Sequence, residues 1–490
     1  MTRVVIVGGG NAALCAAISA RERGVNVVLL ERASYELRGG NSRFTAGAMR
    51  TVYQGTDDLL KIMPDLTQSE IDRTEFGSYA REDFYEDLGR VTNYRIDPDL
   101  AERLVEESYE TLRWMQHHGV RFLPLYGRQS FEIDGMVRFW GGLTVEAWGG
   151  GPGLVDSLTA IAEKMGVVIR YQSRATRLLN NSGNVCGVEV DGTSIAADAV
   201  VLACGGFESN PEWRTRYLGP GWDLAPVRGT RFNTGDGIKM ATEIGAATRG
   251  HWSGCHAVSW DRNAPEFGDL EVGDNFQKHS YPLGIMVNAN GERFVDEGAD
   301  FRNYTYARYG HEVLKQPGQF AYQIFDKKVT HLLRDEYRIK QVTRIQAQTL
   351  NTLAERMDDV DTEKFVACVS EYNAACNGDT RFDPSIKDGL CTEGLAIPKS
   401  NWANPIDTPP FEAYGVTCGI TFTFGGLHVD AKAQVIDEAG SPIPGLYAAG
   451  EIVGGLFYFN YPGGTGLTSG SVFGRVAGTN AADHTPALST

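Results

Sequence analysis

The chain has 490 residues, a formal net charge of −16 and an apolar content of 42%. That length exceeds one compact core and points to two domains. The acidity excludes nucleic acid and anionic membrane surfaces as partners, but not a small anion held in a local basic pocket. The eight cysteines contain no C-x-x-C pair, so a zinc site, a disulfide framework and c-type haem attachment are all excluded and no metal is expected. The first strand opens at Arg3, which leaves no room for a signal peptide. No stretch is long and apolar enough to span a bilayer. A reduced cytoplasmic protein is the expectation.

Val4 to Val7 reads as a buried parallel strand. Gly8, Gly10 and Ala13 follow on a G-x-G-x-x-A pattern. The first glycine permits a tight turn, the second lets backbone approach a pyrophosphate, and Ala13 is small enough for close helix–strand packing. The pattern predicts a helix from Ala12 to Arg23, with its free N–H groups aimed at phosphates. A strand follows at Val27 to Leu30, closed by Glu31, a carboxylate placed to accept from ribose hydroxyls. Strand, helix, strand and terminal acid together specify a dinucleotide-binding fold.

Arg38 to Met49 carries a glycine pair and small hydroxyl residues. It suits backbone pressed against a planar ring, and equally a polar surface loop. Residues 51–118 are helical in period, with Leu100, Leu104, Leu112 and Trp114 on buried faces and His117 and His118 at a surface helix end. The Gly- and Trp-rich stretch 137–155 could line a cofactor but reads better as a packed loop, before a helix at Val155 to Lys164 and a strand at Val167 to Tyr171. Alternating strands follow, with turns at Asn181 to Gly183 and Asp191 to Gly192. Ala199 to Phe207 is a further buried strand ending in glycines, where doubly wound folds hold ligands. Asp236 opens a short helix, as a cap or as a ligand contact. Residues 251–416 turn aromatic and irregular, with helical periods near 327–338 and 362–376. The expected organisation is a discontinuous Rossmann-like α/β domain, 1–250 and 417–490, with a second domain inserted at 251–416. A final helix is expected near Ser471 to Ala482.

The ordered segments G-G-G-N-A-A-L from Gly8, G-G-N-S from Gly39, L-A-C-G-G-F from Leu202, T-G-D-G from Thr234, G-E-R-F-V-D-E from Gly291, G-L-Y-A-A-G-E from Gly445 and G-G-T-G-L from Gly463 carry a resemblance over nearly the whole chain. It resembles the FAD-dependent flavoproteins of the fumarate reductase/succinate dehydrogenase superfamily. Within them it is similar to the FAD-dependent tricarballylate dehydrogenases, through Phe301 to Ala307, Gly419 to Gly426 and Asn460 to Leu467. The resemblance implies an α+β capping domain that closes over the flavin. It places Ala12 at the pyrophosphate, Glu31 and Arg32 at the adenosine ribose and Ala175 near the adenine. Gly40, Asn41, Ser42, Thr45, Ala46 and Gly47 would wrap the flavin side, with Ala203 and Gly205 at the strand end. Asp236 and Glu451 would hold cofactor hydroxyls. Gly466 and Leu467 would open a helix toward the flavin, where an N-terminus stabilises the anionic reduced ring. Ser42 stands near the place where membrane-bound relatives carry a flavin-linking histidine, so FAD is expected to be non-covalent.

For catalysis the resemblance implies Arg302 as proton-transfer residue and His256 as a carboxylate ligand. An arginine is an awkward general base, which keeps Tyr304 and Tyr306 as alternatives. Thr421 and Tyr461 stand where the superfamily has a substrate-clamping His and Arg, and Gln277 and Ser280 replace a proton-relaying Glu and Arg. Fumarate in the standard mode is therefore not expected, and Lys278, His279 or Arg231 are candidates for the missing charge. The implied reaction is dehydrogenation of a CH–CH bond beside a carboxylate, tricarballylate to cis-aconitate. Tyr461 to Gly463 also matches the ketosteroid dehydrogenases, the alternative, with a bulkier enone as substrate. A non-catalytic electron-transfer subunit is the third reading. The expected partners are a small carboxylate or enone and a separate membrane electron acceptor.

Overall fold

The structure is a computed structural model and describes residues 3–378 and 380–484. Its centre is a six-stranded sheet. β1 (Arg3–Val7) pairs in parallel with β2 (Asn26–Leu30) on one side and with β4 (Ala199–Leu202) on the other. β3 (Val168–Arg170) extends the sheet beyond β2. Beyond β4 lie β10 (Pro442–Ala448), parallel, and β9 (Gln434–Ile436), antiparallel, at the edge. The strands of this sheet come from both ends of the sequence: Ala199–Leu202 is buried on both faces, as is the Gly445–Ala448 end of β10 beside it.

Helix α1 (Asn11–Glu22) starts one residue before its expected position and ends one residue before it. It packs on α5 (Thr465–Asp483), the last helix, which starts six residues earlier than the apolar period indicates. The two helices touch backbone to side: a Cβ on Gly474 would sit 2.4 Å from the Ala12 carbonyl oxygen, and one on Gly478 would sit 2.1 Å from that of Ala16. The Asn11 side chain ties them further, with its amide donating to the Leu467 carbonyl and its oxygen accepting from the Ser471 hydroxyl.

Residues 51–118 form helices as expected, ending in α2 (Pro98–His118) with Gly119 in the left-handed region. The glycine run read as a loop is instead the opening of α3 (Gly150–Lys164). A Cβ on Gly151 would meet the Ser42 carbonyl oxygen at 2.0 Å, so glycine there reports helix–backbone contact rather than a loop. Both expected hairpin turns form, with positive φ at Ser182, Gly183, Asp191 and Gly192. The 327–338 stretch holds two single 3-10 turns, whereas α4 (Thr362–Ala375) is a full helix.

A second, antiparallel sheet is built on two long strands, β5 (Thr248–Asp261) and β8 (Phe411–Leu427), joined by β7 (Phe320–Phe325) and β6 (Ile285–Val287). β5 and β8 run through the boundaries expected at 250/251 and 416/417. Each expected boundary therefore falls inside a continuous strand of one sheet. Among the described residues no helix is long and apolar enough to cross a membrane.

Candidate active site

A single elongated cavity runs from the glycine turn after β1 to Tyr461. Its empty space, mouth included, is about 1910 Å³. One lining joins the glycine turn to Tyr461, so the cofactor end and the substrate end share a continuous space.

At one end lie Gly8, Gly10 and Ala12, with Glu31 and Arg32 at the end of β2. Burial pushes the Glu31 carboxyl up, opposed by the backbone N–H groups of Ala33, Gly39 and Arg32. Asp236 bonds Arg32 at 3.1 Å and Arg174 at 2.8 Å. Burial works to raise its carboxyl, but the Arg174 and Arg32 guanidinium groups hold it below its ordinary value. Gly40, Asn41, Ser42, Thr45, Ala46, Ala175, Ala203, Gly205, Glu451, Gly466 and Leu467 also line the cavity. Ala13 and Gly47 do not: Ala13 packs in the core, and Gly47 lies against the Gly150 backbone. Sequence reasoning missed Glu208, fully buried beside Glu451; Asn233 donates to both carboxyls, at 2.7 and 3.4 Å. Burial and mutual repulsion push Glu208 well up.

The donor set fits FAD. Two helices, α1 and α5, start on this cavity with glycine N-caps, Gly10 and Gly464, and neither has a side-chain cap. Uncapped N-termini offer N–H groups and a positive dipole end to a pyrophosphate and to an electron-rich ring. A Cβ on Gly8 would lie 2.2 Å from the Ala203 carbonyl oxygen, so the turn closes against β4 only with glycine.

The far end is cationic. Arg302 sits in a 3-10 turn (Arg302–Tyr304). It donates through Nη2 to the Arg128 carbonyl at 2.6 Å and through Nη1 to His279 Nδ1 at 3.3 Å. Arg128 and Arg228 line the same end, and both pair with Asp274, at 2.7 Å each. Arg228 is positioned because its N–H bonds the Ile420 carbonyl of β8 at 2.7 Å, beside Thr421, whose hydroxyl accepts from its guanidinium at 3.3 Å. Two guanidinium groups thus share one carboxylate, and Arg302 lies beside them without a bond to it. Burial and repulsion from Arg128 push Arg302 down from its ordinary value, with Glu336, Tyr306 and Tyr281 acting the other way. The Tyr306 and Tyr461 hydroxyls bond each other on the cavity wall.

Two expected catalytic residues lie off the cavity. His256 is wholly buried, stacked on Phe422 at 5.1 Å, with neither ring nitrogen partnered. Burial and Arg228 push its pKa well down, so it stays neutral behind Phe422. The Tyr304 hydroxyl donates to Asp87 at 2.6 Å, away from the cavity. Of the replacement charges, Lys278 is buried on backbone carbonyls and Arg231 is exposed over Phe267; His279 alone reaches the site. Arg128 and Arg228 belong to no motif, and their common partner Asp274 is the signal that fold-level pairing supplies and sequence does not.

A family description, FAD binding domain, matches residues 3–467, and the chain belongs to that family. It is 30% identical to the probable fumarate reductase Ifc3 of Shewanella frigidimarina, over 99% of this chain and 75% of that protein. A solved structure of the open conformation of a flavocytochrome c3 fumarate reductase superposes with a TM-score of 0.72 at 28% identity, over 99% of this chain and 78% of that one. A 3-ketosteroid-Δ4-(5α)-dehydrogenase structure from Rhodococcus jostii RHA1 shares the fold, with a TM-score of 0.71 at 24% identity over 98% and 97%. The chain is therefore an FAD-dependent oxidoreductase of the fumarate reductase family, acting on CH–CH or C=C bonds.

Proposed function

We propose that the chain interconverts a polycarboxylate and its α,β-unsaturated counterpart, with tricarballylate and cis-aconitate as the pair. The observation that carries this reading is the arginine cluster. Arg128, Arg228 and Arg302 line one end of the cavity, and Asp274 is the shared counter-charge of the first two, an excess of positive charge that suits a substrate with more than one carboxylate. Bound FAD supplies hydride exchange. Arg128 and Arg228 fix the carboxylates and thereby orient the reacting carbons. Arg302 exchanges the α-proton through a guanidinium nitrogen. Phe422 and Phe457, on the cavity wall, exclude water. The region carrying β6 and β7 acts as the cap. FAD is held without a covalent bond, and electrons pass to a separate acceptor protein.

A second reading rests on the paired Tyr306 and Tyr461 hydroxyls, which would polarise the carbonyl of a cyclic enone. The test is anaerobic. Purified holoenzyme is mixed with tricarballylate, succinate or a 3-ketosteroid, and bleaching of the flavin is followed. Rapid bleaching by tricarballylate is expected. Bleaching by the steroid alone overturns the carboxylate reading.

A further inference from the structure

Arg302 and His279 stand between two cavities. One is the active-site cavity. The other, about 30 Å³, lies against Trp140, Phe301, Arg334 and Trp402, and these two residues are common to both linings. A water needs roughly 10–15 Å³, so the second cavity has room for water. Phe131, Phe301 and Arg334 on its wall are each partly exposed, so it reaches toward solvent.

Four nitrogens on its lining residues are buried without a partner: Trp140 Nε1, His279 Nε2, Arg302 Nε and Arg334 Nη2. Buried polar groups are otherwise paired with protein or with water. The His279 side chain is only 1% exposed. Its Nδ1 faces Arg302 Nη1 at 3.3 Å. A guanidinium has donors and no acceptor. Nδ1 must therefore accept, and the imidazole proton resides on Nε2, the nitrogen without a protein partner. His279 is held neutral by burial and by the surrounding Arg302, Arg228, Arg128 and His256, with Tyr306 edge-on at 4.8 Å. A neutral imidazole with one accepting and one donating nitrogen passes a proton across its ring.

We propose that His279 relays the substrate proton between Arg302 and water in the second cavity. This rests on the reading that Arg302 exchanges that proton. In the oxidative direction the Arg302 guanidinium first passes an N–H proton to His279 Nδ1 as the Nε2–H proton goes to water. The neutral guanidine so formed then takes the proton from the α-carbon. The electron pair of the broken C–H bond stays with the substrate and becomes the new C=C bond; the neighbouring hydride would go to bound FAD, the oxidant of the proposed reaction. Reduction runs the same path backwards.

The test has two arms. The first is nitrogen-15 NMR of histidine-labelled holoenzyme, with His279 assigned by its loss in His279→Gln. A neutral ring protonated on Nε2 is expected between pH 6 and pH 8; a cation, or a proton on Nδ1, overturns the relay. The second compares turnover at equal flavin content. His279→Ala should lose about 100-fold in kcat, the scale of a lost proton-transfer group. Added imidazole should restore much of it. 1-Methylimidazole, which fills the same space but cannot carry a proton across its ring, should not. Equal rescue by both, or near wild-type turnover in His279→Ala, overturns the relay. Wild-type turnover of the carboxylates tests the underlying reading separately, and the NMR arm needs no turnover.

Discussion

Replacing Arg302 with lysine separates charge from geometry. Arg302 is held by two different nitrogens, Nη2 on the Arg128 carbonyl at 2.6 Å and Nη1 on His279 at 3.3 Å. A lysine ammonium is a single point on a shorter reach and cannot keep both contacts while facing the substrate carbon. The positive charge survives, and Arg128 and Arg228 still bind carboxylate. The expected result is a kcat lower by about 100-fold, the scale of a lost acid–base group. At about 1.36 kcal/mol per tenfold this is about 2.7 kcal/mol of transition-state stabilisation. KM should stay within about threefold, because binding that is equal in ground and transition states is untouched. FAD content should not change, since the residues at the glycine turn are undisturbed. Steady-state assays at matched flavin absorbance measure this. A raised KM with an intact kcat would refute proton transfer and leave Arg302 a charge-pairing role.

Acid precipitation should release all yellow colour to the supernatant; colour in the pellet would show a covalent link that Ser42 does not provide. Gly474→Val should cost about 1–3 kcal/mol by overpacking, because its Cβ site lies 2.4 Å from the Ala12 carbonyl oxygen. It should also lower flavin content after gel filtration, since Ala12 lines the cofactor end; unchanged content and melting would refute the contact. Burial raises the Glu146 carboxyl from 4.5 to about 7, with Arg128 opposing. The native state therefore holds a proton that the unfolded chain has released, and stability falls as pH rises from about 4.5 to about 7, by on the order of 3 kcal/mol. Glu146→Gln should match the wild type near the lower limit and melt higher at pH 8; a gap that does not widen with pH contradicts this.

The cofactor half of the fold is legible because its rules are local. A run of β-branched residues, a glycine turn and a terminal acid specify β1, α1 and β2 within thirty residues. The substrate half is not, because it is made by residues far apart in sequence. Arg128 sits on a short helix, Arg228 beside β8 and Asp274 in a turn between β5 and β6, and only the folded chain shows one carboxylate holding both arginines. Motif position points to His256 and Tyr304. That fixes the backbone region but not the face, and both side chains turn into the packing behind the wall. The glycines at 149–151 misled for a related reason: composition cannot distinguish a flexible loop from a helix start pressed against a neighbouring backbone.

The charge balance of the molecule and that of its site have opposite signs, and this bears on how an arginine takes part in proton exchange. The chain as a whole is at −16, yet the substrate end gathers Arg128, Arg228, Arg302 and, behind it, Arg334, against Asp274 and Glu336. Buried cations are costly unless paired, and here several of their N–H groups are spent on backbone carbonyls, which satisfy the hydrogen bonds without cancelling the charge. The uncancelled charge acts on Arg302. A free guanidinium holds its proton too tightly to exchange it near neutral pH, but burial and Arg128 push this one down. The neighbours that would fix an anionic substrate therefore also make Arg302 a better acid. A lone arginine in an otherwise neutral pocket would bind a carboxylate but would not part with its proton.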